Sequence, residues 1–152
     1  MPKLVPVFEY NAILEADEVG AGPFGHRIIY NVTGGKIHGE GLSGSLVGAG
    51  ADWLLVGADG FGRLDVRATF TTDDGAFLYV QYLGLIEVTE NIQAILGGAD
   101  AATEFGGQYF FTNPRVETGH ERYKWMNRTM FIGQGRVVAG PAVEYKVFRV
   151  EN

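Results

Sequence analysis

The feature that most constrains this chain is its 23 glycines, gathered in short clusters between runs of β-forming residues. The clusters are Gly34-Gly35, Asp59-Gly60, Asp73-Asp74-Gly75, Gly106-Gly107 and Gly133-Gln134-Gly135. Glycine reaches positive φ without steric cost, so such clusters mark tight reversals. The runs between them are rich in Val, Ile, Phe, Tyr and Thr, the composition of strands. The spacing predicts strands over Leu4–Leu14, Arg27–Thr33, Lys36–Val47, Asp52–Val56, Gly62–Thr72, Ala76–Leu83, Gln108–Arg115, Arg128–Gly133 and Val143–Val150. That number of strands curls a sheet shut. The expected fold is all-β: a small closed antiparallel β-barrel, calycin-like or similar, with one short helix. The helix is expected after Thr89, a good N-cap, with Ile92, Ile95 and Leu96 at helical spacing and Gly97-Gly98 ending it. It is expected to plug or buttress one barrel end. No linker, repeat or low-complexity tract divides the chain, so residues 1–152 read as a single domain.

Composition excludes several classes of function. Hydrophobic residues are 46% of the chain and charged residues 20%, enough for a real core. A net charge of -6 disfavours nucleic acid and anionic membrane surfaces as partners. With no cysteine, disulfides, thiolate catalysis and Cys-based metal sites drop out. The first ten residues carry no signal-like apolar run, and none in the chain reaches the ~18 residues of a membrane span. A cytoplasmic location is the expectation. The three histidines, His26, His38 and His120, form no ligand-spaced pair, so neither a metal nor a cofactor is expected. Gly39-Glu40-Gly41-Leu42-Ser43-Gly44 has the spacing of a dinucleotide fingerprint, but a strand-like, glycine-broken stretch follows it. The fingerprint needs a helix there to hold the pyrophosphate. A glycine-rich strand bending at a barrel corner is the better reading.

Alternation along the strands sorts residues into faces. In Gly62–Thr72, Leu64, Val66, Ala68 and Phe70 point one way, and Arg63, Asp65, Arg67 and Thr69 the other. The next strand shows no plainly solvent-like face. A polar cavity inside the barrel, lined by Asp65 and Arg67, with Leu64, Val66 and Phe70 facing a partner outside, accounts for this pattern. The segment Thr112–Arg128 concentrates Arg115, Glu117, Arg122, Tyr123, Trp125, Asn127 and Arg128 between two apolar strands. It reads equally as a mouth loop contacting a ligand or as a salt-bridged structural loop. Ala51-Asp52-Trp53 adds a carboxylate and an indole. A carboxylate shielded from water has a raised pKa, which suits general acid/base work.

Three stretches of this sequence resemble one family: Gly34 to Trp53, Leu64 to Val80, and Tyr109 to Gly135. It is the family termed domain of unknown function 3237, or uncharacterised protein family 0311. The resemblance spans nearly the whole chain. It implies a small antiparallel β-barrel that self-associates and no settled activity. It also implies that Asp52, Trp53, Asp65, Arg67, Tyr79, Arg115, Glu117, Trp125, Asn127 and Arg128 are the family's own pattern.

The reading drawn from the residues is a cofactor-independent acid/base enzyme, of isomerase, cyclase or lyase type. It would act on a small apolar or aromatic molecule in the barrel cavity. Asp65 or Glu117 would move the proton, and Arg67 or Arg115 would hold an oxyanion. Asp52, Trp53, Tyr79, Trp125, Asn127 and Arg128 would bind the substrate. The alternative is a lipocalin-like binding protein without catalysis. A homodimer or larger homo-oligomer is expected, through apolar residues such as Leu64, Val66, Phe70, Val143, Tyr145 and Val147. Chelator treatment is expected to leave the melting temperature unchanged; a drop reversed by added zinc or iron would reveal a metal site.

Overall fold

The computed structural model describes residues 1–152. Ten strands form one antiparallel sheet: β1 (Lys3–Gly22), β2 (Gly25–Gly34), β3 (Lys36–Gly39), β4 (Leu42–Val56), β5 (Phe61–Thr72), β6 (Phe77–Glu87), β7 (Phe110–Thr112), β8 (Arg115–Glu117), β9 (Phe131–Val138) and β10 (Ala142–Glu151). The order β10-β9-β7-β6-β5-β4-β2-β1 is closed by pairing of β1 with β10, from Lys3↔Glu151 to Ile13↔Ala142. The sheet is therefore a barrel without free edges along this seam. Helix α1 spans Glu90–Leu96. The Thr89 hydroxyl accepts from the Ile92 amide and Gly97 ends the helix, as its sequence predicts. Ile92 and Ile95 belong to the barrel core, so α1 closes the end at which β6 finishes. No helix is long and apolar enough to cross a membrane.

Two glycine clusters behave differently from the sequence expectation. Gly34-Gly35 is not a reversal. β2 and β3 run on in the same direction, and both pair with β1, from Gly22↔Gly25 through to Phe8↔Gly39. A side chain at Gly35 would collide with the Asn11 carbonyl, so glycine lets the strand kink against its neighbour. Gly133 and Gly135 lie inside β9 and are buried. A Cβ on Gly135 would sit 2.6 Å from the Phe110 ring, which occupies that space. The Lys36–Val47 run is also divided. It turns at Glu40-Gly41, within the dinucleotide-like motif, and β4 then continues through a bulge between Val47 and Ala51 to Val56.

The inside and outside of the barrel are the reverse of the expected assignment. Leu64, Val66, Ala68 and Phe70 are buried, and Arg63, Asp65 and Arg67 are exposed. A core cluster of 29 buried residues, including Phe8, Tyr10, Phe70, Leu78, Phe110, Phe131 and Tyr145, packs the interior. Val143, Tyr145 and Val147 are buried there as well, so none of the apolar residues named for self-association is free to serve it. The reason is physical. Removing aliphatic and aromatic area from water is worth roughly 25 cal/mol per Å², while unpaired charge inside is costly.

Outside the ring, Arg122 and Asp74 bind the loops of one end together. The Asp74 carboxylate accepts from Thr72 Oγ1 at 2.5 Å, Tyr123 Oη at 2.9 Å and Arg122 Nη1 at 2.8 Å. Arg122 Nη2 also donates to the Gly41 carbonyl at 2.8 Å. The hydroxyl of Thr72, then that of Tyr123, then Arg122 hold the Asp74 pKa down at about 2.

Gly135→Ala should lower the melting temperature, with a loss of about 1–3 kcal/mol typical of an overpacked core. Phe110→Leu in the same background should recover part of it. An unchanged melting temperature for Gly135→Ala would show that the ring does not fill this space.

Candidate functional site

The residues singled out by sequence divide into one inside the barrel and nine on its outer side. Asp52, on β4, is the one inside, 8% exposed. Its Oδ1 accepts the Asp65 backbone amide at 3.0 Å. Its cross-strand partner is Tyr30, and it lies near Tyr82 and Tyr145. Burial pushes its pKa up to about 7, against the pull of the Asp65 amide and the Arg27 charge. Tyr82 Oη donates to Tyr145 Oη at 3.3 Å, and the Tyr10 ring stacks 4.8 Å from that of Tyr145. Burial holds all three phenols protonated by raising their pKa. Sequence reasoning missed this tyrosine group, although the alternation Leu78, Val80, Tyr82 already placed Tyr82 on the apolar face.

On the outer side, register assembles the rest. Asp65 pairs with Leu83, Arg67 with Ala51 and Gln81, Gln81 with Arg115, and Tyr79 with Glu117. Trp53 stands one residue from Asp52 on the outer face, 41% exposed, with Arg27 Nη1 donating to its carbonyl at 2.7 Å. The segment expected as a loop forms the short strand β8 and a 3-10 helix over Glu121–Arg128, begun by His120, whose Nδ1 accepts from the Arg122 amide. Pro114 breaks the strand between β7 and β8, and both halves stay paired with β6. Asn127 clamps the helix to β8: its Nδ2 donates to the Thr118 carbonyl at 2.8 Å, and its Oδ1 accepts the Thr118 amide at 2.8 Å.

Between the helix end and the outer face of β6 and β8 lies a cleft of about 580 Å³. Tyr79, Arg115, Glu117, Asn127 and Arg128 line it, together with Gln81, Met126 and Met130, which sequence reasoning did not pick out. Trp125 packs edge-on against Phe131 and borders an adjoining hollow with Lys124 and Arg128. Asp65, Arg67 and Trp53 lie on the same wall outside this cleft.

The arginines divide into paired and unpaired. Arg63, Arg122, Arg136 and Arg149 pair with Asp59, Asp74, Glu144 and Glu151, and Arg27 meets a backbone carbonyl. Arg67, Arg115 and Arg128 have no ion pair, nor do Asp65 and Glu117. No three His, Asp or Glu side chains converge as metal ligands. The cleft thus offers two free guanidinium groups, a free carboxylate, a phenol and the thioether of Met130.

Fold and site together define an antiparallel β-barrel with a packed interior and a polar cleft on its outer wall. Residues 2–150 match the family described as "Protein of unknown function (DUF3237)", and the chain belongs to that family. A "UPF0311 protein" of Rhodopseudomonas palustris (strain TIE-1) is 35% identical over 122 residues, 80% of this chain and 76% of the relative. The crystal structure of the conserved protein of unknown function RPA1785 from Rhodopseudomonas palustris matches with a TM-score of 0.89 and 29% identity, over 99% of both chains. A structure described as that of an enzyme from Penicillium herquei shares the fold, with a TM-score of 0.69 and 21% identity, over 99% of this chain and 95% of that one.

The titration of Asp52 can be read in stability. Its carboxyl is lifted from 3.8 to about 7 in the fold, so the native state holds the proton more tightly. Stability from this group is full below pH ~4 and is lost as pH rises through about 7. Asp52→Asn keeps the acceptor for the Asp65 amide and removes the charge. The variant should match the wild type near pH 4 and exceed it at pH 8, by up to about 4 kcal/mol. Equal melting temperatures at pH 8 would contradict the burial of a charged Asp52.

Proposed function

We propose that the outer cleft binds a small anionic molecule with an apolar or aromatic body and acts on it by proton transfer, without a cofactor. The observation that carries this reading is the convergence of Arg115, Glu117 and Arg128, all unpaired, on one cleft of a chain whose net charge is -6. Unpaired guanidinium groups in an acidic protein favour an anion, and bidentate pairing with a carboxylate or enolate suits them. Met130 and the Tyr79 ring supply the apolar surface for the ligand body. Glu117, across from Tyr79 in the ladder, is the group placed to take or return a proton. Asn127 acts as a positioning residue, because both ends of its amide are spent on Thr118.

The Penicillium herquei neighbour, described as an enzyme, is consistent with catalysis on this scaffold. The packed interior argues against carriage of a ligand inside the barrel, as in lipocalin-like proteins. It also removes Asp65 and Arg67 from the proposed catalytic group, since neither lines the cleft. A binding module using this same cleft is the second reading, and the exposure of the cleft to solvent favours it.

Phenylpyruvate separates the two. It is aromatic and anionic and carries an enolisable methylene. The wild type should bind it and exchange its methylene protons for solvent deuterium faster than buffer does, followed by proton NMR. Arg115→Gln should weaken binding by about tenfold or more, the loss of a charged hydrogen bond. Glu117→Gln should bind as before and lose exchange by about 100-fold. Binding without exchange in the wild type would favour the binding module. No binding, or binding indifferent to Arg115→Gln, would defeat both.

A further inference from the structure

The floor of the cleft is a small grid of outward side chains set by the ladder. Gln81 on β6 lies between Arg67 on β5 and Arg115 on β8, and the next row, two residues along, is Thr69, Tyr79 and Glu117. Neighbours within a row stand about 5 Å apart, and the two rows about 7 Å apart. Gln81, Arg115, Tyr79 and Glu117 all line the cleft. Gln81 differs from the amides beside it. Asn113 Oδ1 accepts from the Leu83 amide at 3.0 Å, and Asn127 is spent at both ends on Thr118. The Gln81 amide, partly buried in the floor, has no such partner in the chain.

An amide between two guanidinium groups is oriented by their charge. Its Oε1 turns to a guanidinium, and its Nε2 is left to donate to something in the cleft. The acceptor that suits it sits beside an anion, because Arg115 is its neighbour in the row. A 2-oxo acid has that shape. One edge carries a carboxylate oxygen and the ketone oxygen. The opposite edge carries the C3 methylene, whose protons the ketone makes acidic. We infer that Gln81 reads the substrate of this cleft, donating through Nε2 to the ketone oxygen of a 2-oxo acid whose carboxylate lies on Arg115. The C3 edge then faces the second row, where Glu117 and the Tyr79 ring stand. This rests on the cleft being the site of anion binding and proton transfer.

The step balances within the cleft. The Glu117 carboxylate takes a proton from C3, and the C–H electron pair becomes the C2=C3 double bond. The carbonyl π pair moves onto the ketone oxygen, now an enolate oxygen, which accepts from Gln81 more strongly than the ketone did. Return of a proton from Glu117 to C3 restores the acid. In deuterated water the returned proton is a deuteron, so the cycle is read as exchange without net change. Gln81 thus acts on selection among anions and, more strongly, on the rate, because the charge it meets develops only during the reaction.

Phenylpyruvate and 3-phenylpropionate share the ring, the carboxylate and the chain length between them, and differ only in the ketone. By calorimetry the wild type should bind phenylpyruvate about fivefold more tightly, the worth of one hydrogen bond. Gln81→Met keeps the length of the side chain and removes its donor. It should bind the two acids equally, bind 3-phenylpropionate as the wild type does, and exchange the phenylpyruvate methylene about 100-fold more slowly. The unchanged 3-phenylpropionate affinity also shows that the variant is folded. Equal affinity of the wild type for the two acids, a preference that survives in Gln81→Met, undiminished exchange in that variant, or its loss of 3-phenylpropionate binding would each overturn the inference and leave the cleft as an anion site. Binding of neither acid by the wild type would remove the cleft reading and this inference together. A preference that Gln81→Met abolishes, without exchange in the wild type, keeps Gln81 as the reader of the ketone and removes proton transfer alone.

Discussion

Closure of the ring through the β1–β10 ladder, from Lys3↔Glu151 to Ile13↔Ala142, is the constraint on which the rest depends. Once the sheet meets itself, every strand has one face inside and one outside, and a shift of one residue would exchange them all. The interior is then fixed by what it can hold at close packing. Aliphatic and aromatic side chains from all the long strands fill it, and the glycines of β9 give the Phe110 ring its space. With the interior committed to packing, the free charges stand on the wall and at the cleft beside it.

The one carboxylate that the interior does take, Asp52, sits among tyrosines and accepts a backbone amide across the ladder. Burial of a charge without a close cationic partner is paid for by protonation, which is why its pKa climbs to about 7. Its role in the account is structural: it fixes β4 to β5 at the level where the outer rows of Trp53 and Arg67 begin. The outer wall has the opposite character. Its Asp65, Arg67, Arg115, Glu117 and Arg128 are exposed and form no ion pair.

Much of the fold was legible from local signals. The Thr89 cap, the Gly97 stop, and the turns at Asp59-Gly60 and Asp73-Asp74-Gly75 all lie where short-range chemistry places them. Of the ten residues singled out, five, Tyr79, Arg115, Glu117, Asn127 and Arg128, converge on one cleft. Their side of the barrel was not legible. Alternation along β5 separates Leu64 and Val66 from Asp65 and Arg67, but it carries no label for inside. Trp53, Phe77 and Leu83, exposed on the outer wall, made the two faces look alike. The glycines misled for a related reason. Gly35 and Gly135 answer close approach of a neighbouring strand or ring, a long-range demand that resembles a turn signal in sequence. The 3-10 helix at Glu121–Arg128 depends on Asn127 reaching Thr118 and Arg122 reaching Asp74, contacts no local pattern announces.

The central claim is that the functional surface of this barrel is its outer wall. The most direct measurement is an amide chemical-shift map by NMR during titration with 2-naphthoate, an inert aromatic carboxylate. The account predicts that shifts concentrate at Tyr79, Gln81, Arg115, Glu117 and Arg128, with Tyr10, Tyr82 and Tyr145 unmoved. Shifts centred on the three interior tyrosines and Asp52, with the cleft unperturbed, would contradict it.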